Sequence, residues 1–355
     1  MDRRITKAIS CGRVLIGSQA PVSIQSMTTT DTRDPQKTAL QILELDREGC
    51  DIVRVAVPDM TAAEAIFDIK ERIGDIPLVC DIHFDGRLAI RAIEAGADKI
   101  RINPGNIGGK EKLRPVVKAA AQRGIPIRVG VNGGSLEKDI LSRYGKVTAE
   151  GLAESAMRNV RLLEEMDFDQ IVISVKSSDI MMNYDAHRIL SQMTDYPFHI
   201  GITESGTIHT GALKSAAGLG ALLLSGMGDT LRISLTGDPV REVRLAKALL
   251  KACGLRPEGV TVISCPTCGR CSVELEPIAL EVEKRCENIR RPMKIAVMGC
   301  EVNGPGEARE ADLGLAFGKG RAALFQEGKI LKTLPAQNAV EELMRLVEKK
   351  NHEND

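Results

Sequence analysis

The feature that most constrains the fold is an alternation of short β-branched runs and longer helix-like stretches, from residue 20 to about 255. Runs rich in Val, Ile and Thr are typical of strands. Eight such runs occur: VSIQSM (22–27), DIVRVAV (51–57), PLVCDI (77–82), KIRIN (99–103), PIRVGV (126–131), QIVISV (170–175), FHIGI (198–202) and TLRISL (230–235). Strands that alternate with helices form parallel βαβ units, and this number of units predicts a (β/α)8 or TIM barrel. A doubly wound open sheet is the alternative.

The sequence changes character after residue 257. VISC (262–265) and VMGC (297–300) read as strands that each end at a cysteine, and LEPIALEVEKRCENI (275–289) reads as a helix. A second helix, VEELMRLVEKK (340–350), closes the chain. We therefore expect an α/β protein of two domains: a substrate-binding barrel over residues 1–256 and a small α+β domain with a cysteine site over 257–355.

The charge balance and the absence of long apolar stretches limit the kinds of partner. Lys plus Arg and Asp plus Glu both number 48, so there is no basic excess of the kind that a general nucleic-acid binder needs. The N-terminus has no apolar signal region, and the most apolar stretch (216–228) is too short and glycine-rich to span a bilayer. We expect a cytoplasmic protein without nucleic-acid or membrane partners. Thiols stay reduced there, so nine cysteines favour metal or catalytic chemistry over disulfides.

Four of the predicted strands contain an arginine, where a parallel sheet covered on both faces is normally apolar. These residues are Arg54, Arg101, Arg128 and Arg232. An unpaired buried guanidinium is costly, so either each arginine pairs with an internal carboxylate or all point into one polar cavity. Strand ends converge at the C-terminal face of a barrel, where Lys176 joins them. The pattern predicts a pocket for a strongly anionic ligand, such as a phosphorylated or diphosphorylated small molecule.

Other polar residues follow the same strands and are predicted to lie at the same face. They are Gln25, Ser26, Thr28, Asp81, His83, Asn103, Asn132, Thr203, Glu204 and Ser234. Glu204 is the best acid/base candidate, because a carboxyl group in a closed pocket can hold a useful proton. Its alternative is an exposed loop carboxylate. His83 and His199 are equally consistent with a hydrogen-bonded scaffold.

The cysteines of the second domain have the spacing of a metal or cluster site. Cys265, Cys268 and Cys271 form C-x2-C-x2-C, and Cys300 follows downstream. This pattern resembles half of a bacterial ferredoxin signature. Zinc is the competing interpretation, but no second CxxC follows, and every histidine except His352 lies in the first 209 residues. Spacing favours an iron–sulfur group over zinc or unliganded thiols, and leaves the fourth ligand open.

Taken together, the motifs resemble one enzyme family in order and over nearly the whole chain. The motifs are SIQSMT, DIVRVAV, DIHF, KIRINPGN, RVGVNGGSLE, VKSSD, TESG, KSAAGLGALLLSGMGDTLRISLTGDP, SCPTCGR and MGCEVNGPGEA. The family is that of the 4-hydroxy-3-methylbut-2-enyl diphosphate synthases of the non-mevalonate isoprenoid pathway. The chain is similar to the short bacterial form, since no inserted domain separates the barrel from the cysteine domain.

The resemblance implies an oxidoreductase with a [4Fe–4S] cluster. It implies reductive ring opening and dehydroxylation of 2-C-methyl-D-erythritol 2,4-cyclodiphosphate to (E)-4-hydroxy-3-methylbut-2-enyl diphosphate. By the family pattern, Cys265, Cys268 and Cys300 bind three irons and Glu307 binds the fourth, while Cys271 is a bystander. A carboxylate is a harder and weaker iron ligand than a thiolate, so a substrate oxygen can displace it.

The same resemblance implies roles for the barrel residues and for partners. Glu204 is the implied proton donor or partner of a substrate hydroxyl, and Asp81 and His83 line the pocket. The implied diphosphate ligands are Arg54, Arg101, Arg128, Asn132, Lys176, Arg232 and Ser234. A reduced ferredoxin or flavodoxin supplies electrons, and a head-to-tail homodimer brings one subunit's cluster domain to the other's barrel. The alternatives are a barrel transferase with a structural zinc domain, and a non-catalytic protein that binds a phosphorylated ligand.

Overall fold

The structure is a computed structural model that describes residues 2–256, 258–300 and 308–352. The chain divides into two compact units, residues 1–256 and 257–355. No helix in the described part of the chain is both long and apolar enough to cross a membrane.

The first unit is a closed parallel barrel, as predicted. Its strands are β3 (Ser23–Met27), β4 (Ile52–Ala56), β5 (Leu78–Asp81), β6 (Lys99–Ile102), β7 (Ile127–Asn132), β8 (Ile171–Lys176), β9 (His199–Ile200) and β10 (Thr230–Leu231). Each strand pairs in parallel with the next, and β10 pairs with β3. A parallel bridge between Ile173 and Phe198 joins β8 to β9 and closes the ring. The open-sheet alternative is therefore wrong.

Helices surround the barrel and bury its outer face. They are α1 (Pro35–Glu48), α2 (Met60–Ile73), α3 (Gly86–Glu94), α4 (Lys110–Arg123), α5 (Lys138–Tyr144), α6 (Ala149–Glu164), α7 (Ile180–Met193), α8 (Ile208–Leu224) and α9 (Pro239–Ala252). Several begin at an aspartate that accepts a backbone N–H, such as Asp59 before α2 and Asp179 before α7. The short α5 lies between β7 and α6 as an addition to the repeating βα unit.

The period-two alternation of each strand separates an apolar face from a polar one. In β4, Val53 and Val55 belong to the core that packs against the helices, while Arg54 between them lines an internal cavity. In β6 and β7, Arg101 and Arg128 are direct neighbours in the parallel register and line the same cavity. The charged residues within the strands therefore share the inner face.

Two predicted strands are shorter than expected. The runs predicted over 198–202 and 230–235 form only β9 and β10, of two residues each. Arg232 still donates its backbone N–H to Ile200, but Leu235 donates its N–H to the side chain of Glu242 on α9. By Leu235 the chain has left the ladder, and its N–H bonds a side chain instead of a neighbouring strand.

An N-terminal hairpin, which the sequence did not reveal, packs onto the barrel strands. Strands β1 (Ile9–Cys11) and β2 (Val14–Ile16) pair antiparallel. Ile9, Cys11 and Ile16 form an apolar cluster with residues near the starts of β4, β5 and β8, namely Ile52, Val79 and Val172. This cluster fills the end of the barrel opposite to the strand C-termini.

The second unit is a small α+β domain built on one mixed sheet. Its strands, in spatial order, are β11 (Val260–Ser264), β12 (Met293–Met298), β13 (Leu313–Gly318), β14 (Arg321–Gln326) and β15 (Lys329–Pro335). The first three run parallel and the last two pairings are antiparallel. Helices α10 (Leu275–Cys286) and α11 (Ala339–His352) contribute to its apolar core.

Candidate functional site

A cavity of about 280 Å³ opens at the C-terminal ends of the barrel strands. Its walls include the ten barrel residues predicted as substrate or acid/base sites, whereas Gln25, Ser26, Thr28 and Asn103, predicted at the same face, are not among the lining residues. The lining residues are Arg54, Asp81, His83, Arg101, Arg128, Gly130, Val131, Asn132, Ser174, Lys176, Thr203, Glu204, Arg232 and Ser234. In the structure, the four strand arginines and Lys176 therefore line one cavity, as predicted.

Burial and mutual repulsion destabilise the charged forms of the cations in this pocket. Burial lowers the pKa of Arg128 well below its usual value, and the charges of Arg54 and Arg101 lower it further. Lys176 has a strongly lowered pKa for the same two reasons, burial first and the neighbouring arginines second. Burial lowers the pKa of Arg54 to about 10, partly offset by Asp81. An anionic ligand would relieve all three effects.

Asp81 lies among these cations and is held by them. Its Oδ1 accepts a hydrogen bond from Arg101 Nη1 at 3.2 Å, and its Oδ2 lies 3.6 Å from His83 Nε2 and 3.9 Å from Arg54 Nε. Burial alone would raise its pKa, but the His83 hydrogen bond and the arginine charges outweigh burial and hold the pKa far below its usual range. Asp81 is therefore a permanent carboxylate that orients Arg101 and His83 at the cavity wall.

Other donors at the pocket have no partner within the described residues. Arg128 Nε and Nη1 and Arg101 Nε are buried there without any hydrogen bond. No carboxylate in the described part of the chain forms an ion pair with Lys176. Buried polar groups are normally satisfied, so these atoms identify where a ligand with acceptor oxygens would bind.

Two glycines make room for the charged side chains. A Cβ on Gly130 of β7 would lie 2.5 Å from Arg101 Nε, and a Cβ on Gly201, after β9, would lie 2.5 Å from Lys176 Nζ. Both contacts are shorter than a real Cβ tolerates, so Arg101 and Lys176 can hold these positions because neither glycine carries a Cβ. Sequence reasoning missed them, although a glycine within a strand run is itself a signal of close approach.

Glu204 lies at the mouth of the cavity, in the connection after β9. It lines the cavity but is exposed, and its φ is +55°, an uncommon conformation for a residue other than glycine. Strained backbone at a ligand site is a frequent companion of function. The side chain is thus at a pocket edge that solvent reaches, rather than in the closed pocket that the sequence argument assumed.

Sequence reasoning also missed two residues that contact the pocket arginines from outside its lining. Glu242 of α9 accepts two hydrogen bonds from Arg232, both at 3.1 Å. Met27 Sδ lies 3.1 Å from Arg54 Nε and 2.9 Å from Arg54 Nη2. Neither contact has a sequence signal: Met27 and Arg54 are 27 residues apart on different strands, and Glu242 lies on α9 whereas Arg232 follows β10.

The predicted cluster ligands lie at the C-terminal ends of two adjacent parallel strands in the second unit. Cys265 follows β11 and Cys300 follows β12, and the last residue of β11, Ser264, pairs with Val297 of β12. The backbone N–H of Gly299 donates to Cys265 Sγ at 3.3 Å. Cys271 lies nearby, and its Sγ contacts Gly299 on the side where a Cβ would project. Glu307, the predicted fourth ligand, lies outside the described residues.

The chemistry of the thiols is compatible with an iron–sulfur group. All the cysteines are free, with Cys268 exposed and Cys300 buried. Hydrogen bonds from Arg270 lower the pKa of Cys268, which favours its thiolate. Within residues 2–256, 258–300 and 308–352, no three His, Cys, Asp or Glu side chains approach closely enough to hold a single metal ion. Thiols are ligands that both iron–sulfur clusters and zinc accept.

The first unit is a parallel (β/α)8 barrel with a cationic pocket at its strand C-termini, and a separate cysteine-bearing domain follows it. This combination is that of a two-domain barrel enzyme. Solved structures agree on the barrel. Type I 3-dehydroquinate dehydratase from Clostridium difficile matches with a TM-score of 0.52 at 13% identity, over 70% of this chain and 98% of its own. Dihydropteroate synthase from Stenotrophomonas maltophilia matches with a TM-score of 0.50 at 14% identity, over the same shares. These likenesses concern the fold alone.

The family follows from closer relatives. Residues 6–247 match the GcpE TIM-barrel domain, and residues 261–349 match the GcpE protein C-terminal domain. A protein of Caldanaerobacter subterraneus is 55% identical over 347 residues, 98% of each chain, and one of Anoxybacillus flavithermus is 54% identical over 349 residues, 98% of this chain and 96% of its own. Both are named 4-hydroxy-3-methylbut-2-en-1-yl diphosphate synthase (flavodoxin). The chain belongs to the GcpE family, as its motifs indicated, and is an oxidoreductase of isoprenoid biosynthesis.

Proposed function

We propose that this enzyme converts 2-C-methyl-D-erythritol 2,4-cyclodiphosphate, two electrons and a proton into (E)-4-hydroxy-3-methylbut-2-enyl diphosphate and water. The observation that carries the proposal is the pocket of buried cations, which lacks enough negative charge of its own. A diphosphate supplies that charge and has acceptor oxygens for several donors at once. The names of the relatives support flavodoxin as the electron donor, with ferredoxin as the other candidate.

The diphosphate binds at the cations that have spare donors. Arg128 and Lys176 provide the deepest positive charge, and Arg54 is held mainly by the weak thioether acceptor of Met27. Arg101 and Arg232 reach the ligand from positions set by carboxylates. Asn132 and Ser234 complete the set of polar contacts along the wall.

The remaining polar residues act on the part of the substrate that changes. Asp81 keeps His83 and Arg101 in place, and His83 presents its ring to the cavity. Glu204, which lines the cavity at its mouth, contacts the departing hydroxyl group and passes a proton to it. A proton donor at this point helps the oxygen to leave as water.

Cys265, Cys268, Cys300 and Glu307 hold a [4Fe–4S] cluster in the second unit. When bound, the cluster supplies the two electrons and a Lewis-acidic iron. Support comes from the positions of the three thiols at adjacent strand ends and from the lowered pKa of Cys268. Cys271 is not a ligand in this proposal, as the family pattern implies, and its Sγ donates to the carbonyl oxygen of Val273 at 3.2 Å.

A head-to-tail homodimer completes the active site. Helices of a barrel run antiparallel to its strands, so α9 ends at Ala252 on the face away from the pocket. The chain thus leaves the barrel far from its own cavity, which supports capping of that cavity by the cluster domain of a second subunit. Closure of that kind would exclude water from the reaction.

The experiment that tests the proposal is anaerobic purification followed by an absorption spectrum and by iron, sulfide and zinc analysis. We expect a brown protein with about four irons and four sulfides per chain, which dithionite bleaches and which turns over the cyclodiphosphate with reduced flavodoxin. A colourless protein that holds one zinc, even after iron–sulfur reconstitution, would rule out the redox mechanism and favour the transferase alternative.

A further inference from the structure

Glu242 is a buried carboxylate that contacts the pocket without lining it. It lies in the first turn of α9 and is only 3% exposed. Its Oε2 accepts hydrogen bonds from Ser26 Oγ at 2.9 Å and from Arg232 Nε at 3.1 Å. Its Oε1 accepts from Arg232 Nη2 at 3.1 Å and from the backbone N–H of Leu235 at 3.0 Å. Both oxygens therefore have two donors each.

This contact fixes the orientation of Arg232 before any ligand arrives. A guanidinium is a planar fork, and a carboxylate that takes Nε and Nη2 together sets the plane of the whole group. Both N–H groups of Nη1, which lies 3.6 Å from Met27 Sδ, and one N–H of Nη2 are not taken by Glu242. Arg54 differs, because its Nε and Nη2 contact that thioether, a weak acceptor, and the Asp81 carboxylate lies 3.9 Å from its Nε.

The surroundings of Glu242 hold its side chain in place. Its position in the first turn of α9 places it at the positive end of the helix dipole. Ser26 comes from β3 and Leu235 from the connection to α9, so three parts of the barrel converge on one side chain. A buried ion pair adds little net stability compared with an apolar pair of the same size, so stability alone does not account for this arrangement.

We propose that Glu242 is a positioning residue for substrate binding, which presents Arg232 Nη1 to the anionic group in the cavity. The inference rests on the proposed function, in which Arg232 contacts the diphosphate. Preorganisation of this kind lowers the entropy that binding must overcome, because the arginine is ordered in advance. Glu242 itself touches neither the substrate nor the reacting atoms.

The test is Glu242→Gln in the reconstituted holoenzyme. The variant puts an amide nitrogen where a carboxylate oxygen now accepts two donors, so Arg232 loses part of its anchor whichever way the amide turns. We expect KM for the cyclodiphosphate and Kd for inorganic pyrophosphate to rise about tenfold, within the range that misplacement of a binding group produces. The value of kcat should change by less than about threefold.

Asp229→Asn is the matched control. Asp229 is also 3% exposed and accepts hydrogen bonds from Arg3, Thr6 and the backbone of Phe198, but it lies before β10, at the opposite end of the barrel. Both substitutions should lower Tm, and only Glu242→Gln should weaken binding. Equal loss of Tm in both variants with unchanged KM and Kd in Glu242→Gln would overturn the proposal.

A second variant and a reference variant keep the result interpretable. If Glu242→Gln does not fold, Ser26→Ala removes one donor from Oε2 and should raise KM about twofold to threefold, and an unchanged KM would count against the proposal. Arg232→Ala tests the proposed function by itself. If Arg232→Ala leaves pyrophosphate affinity unchanged, the diphosphate contact is wrong; if it weakens binding while Glu242→Gln does not, only the positioning role of Glu242 fails.

Discussion

The pocket of the barrel and the cysteine region of the second unit both lie at the C-terminal ends of parallel strands, but they are held in different ways. In the pocket, Asp81 and Glu242 fix two of the arginines, and Gly130 leaves the space that Arg101 occupies. In the cysteine region, Cys265 accepts a single hydrogen bond from Gly299 and Cys268 is exposed. The chain's own charges thus hold the pocket residues in place, whereas the proposed cluster would be what fixes the thiols.

The largest expected effect comes from Cys300→Ser, which separates the two regions. We expect the variant to lose its iron. Its turnover of the cyclodiphosphate should fall by roughly 1,000-fold or more, the scale on which removal of an essential catalytic group acts. The barrel pocket should be unaffected, so inorganic pyrophosphate should bind as it does to the unchanged protein. Iron and sulfide analysis and titration calorimetry measure the two outcomes.

Cys271→Ser provides the matched control for that variant. Cys271 lies beside Gly299, in the same neighbourhood as Cys265, but is expected to have no iron to bind. Its substitution should leave the iron content unchanged. Retention of four irons by Cys300→Ser, or their loss from Cys271→Ser, would contradict the proposed ligand set.

A smaller effect is expected from Gly130→Ala, which alters the pocket and spares the cysteine region. The new methyl group would lie 2.5 Å from Arg101 Nε and 2.9 Å from its Nη2, so the guanidinium must leave its place beside Asp81. We expect KM to rise about tenfold, as for other displaced binding groups, with unchanged iron content. Gly220→Ala in α8 is the control, since its nearest contact would be Leu249 Cδ1 at an ordinary 3.8 Å. An equal change of KM in both variants would contradict the role of Gly130.

The barrel and most of its pocket could be predicted because their signals are local. An arginine between two valines, as in the run around Arg54, shows directly which face of a strand is polar. Since the strands of a barrel converge, knowing the face was enough to bring Arg54, Arg101, Arg128 and Lys176 together. The cysteine spacing likewise indicated a class of ligand site.

The supports of the site could not be predicted, because they are contacts between distant residues. Ser26 and Glu242 are 216 residues apart, and nothing in the pattern of α9 distinguishes this glutamate from an exposed one. The hairpin that begins at Ile9 has strands of only three residues, too short for a recognisable alternation. The strand containing Arg232 was predicted too long, and the N–H of Leu235 bonds the side chain of Glu242 instead of a neighbouring strand. Function near the pocket therefore depends on residues that sequence patterns do not reveal.

The smallest expected effect is an uptake of protons when the pocket binds an anion. Burial and the neighbouring arginines lower the pKa of Lys176. Lys176 is therefore deprotonated in a fraction of the ligand-free molecules as the pH rises towards the ordinary pKa of lysine. An anion beside Lys176 favours the charged form and raises that pKa again. Binding then takes up a fraction of one proton, and affinity increases as the pH falls through the window between the lowered and the restored pKa.

Sulfate is the suitable probe for this effect, because it does not titrate near neutral pH. Calorimetry in two buffers with different ionisation enthalpies measures the protons taken up, which should number less than about one per subunit. The uptake should persist in Cys300→Ser, since the cysteine region has no part in it, and should disappear in Lys176→Met. A release of protons on binding, or equal uptake by Lys176→Met, would show that the charge deficit of the pocket does not reside on Lys176. The pocket and the cysteine region would then differ in the contacts that hold their side chains, but not in how the charge of those side chains changes when a ligand binds.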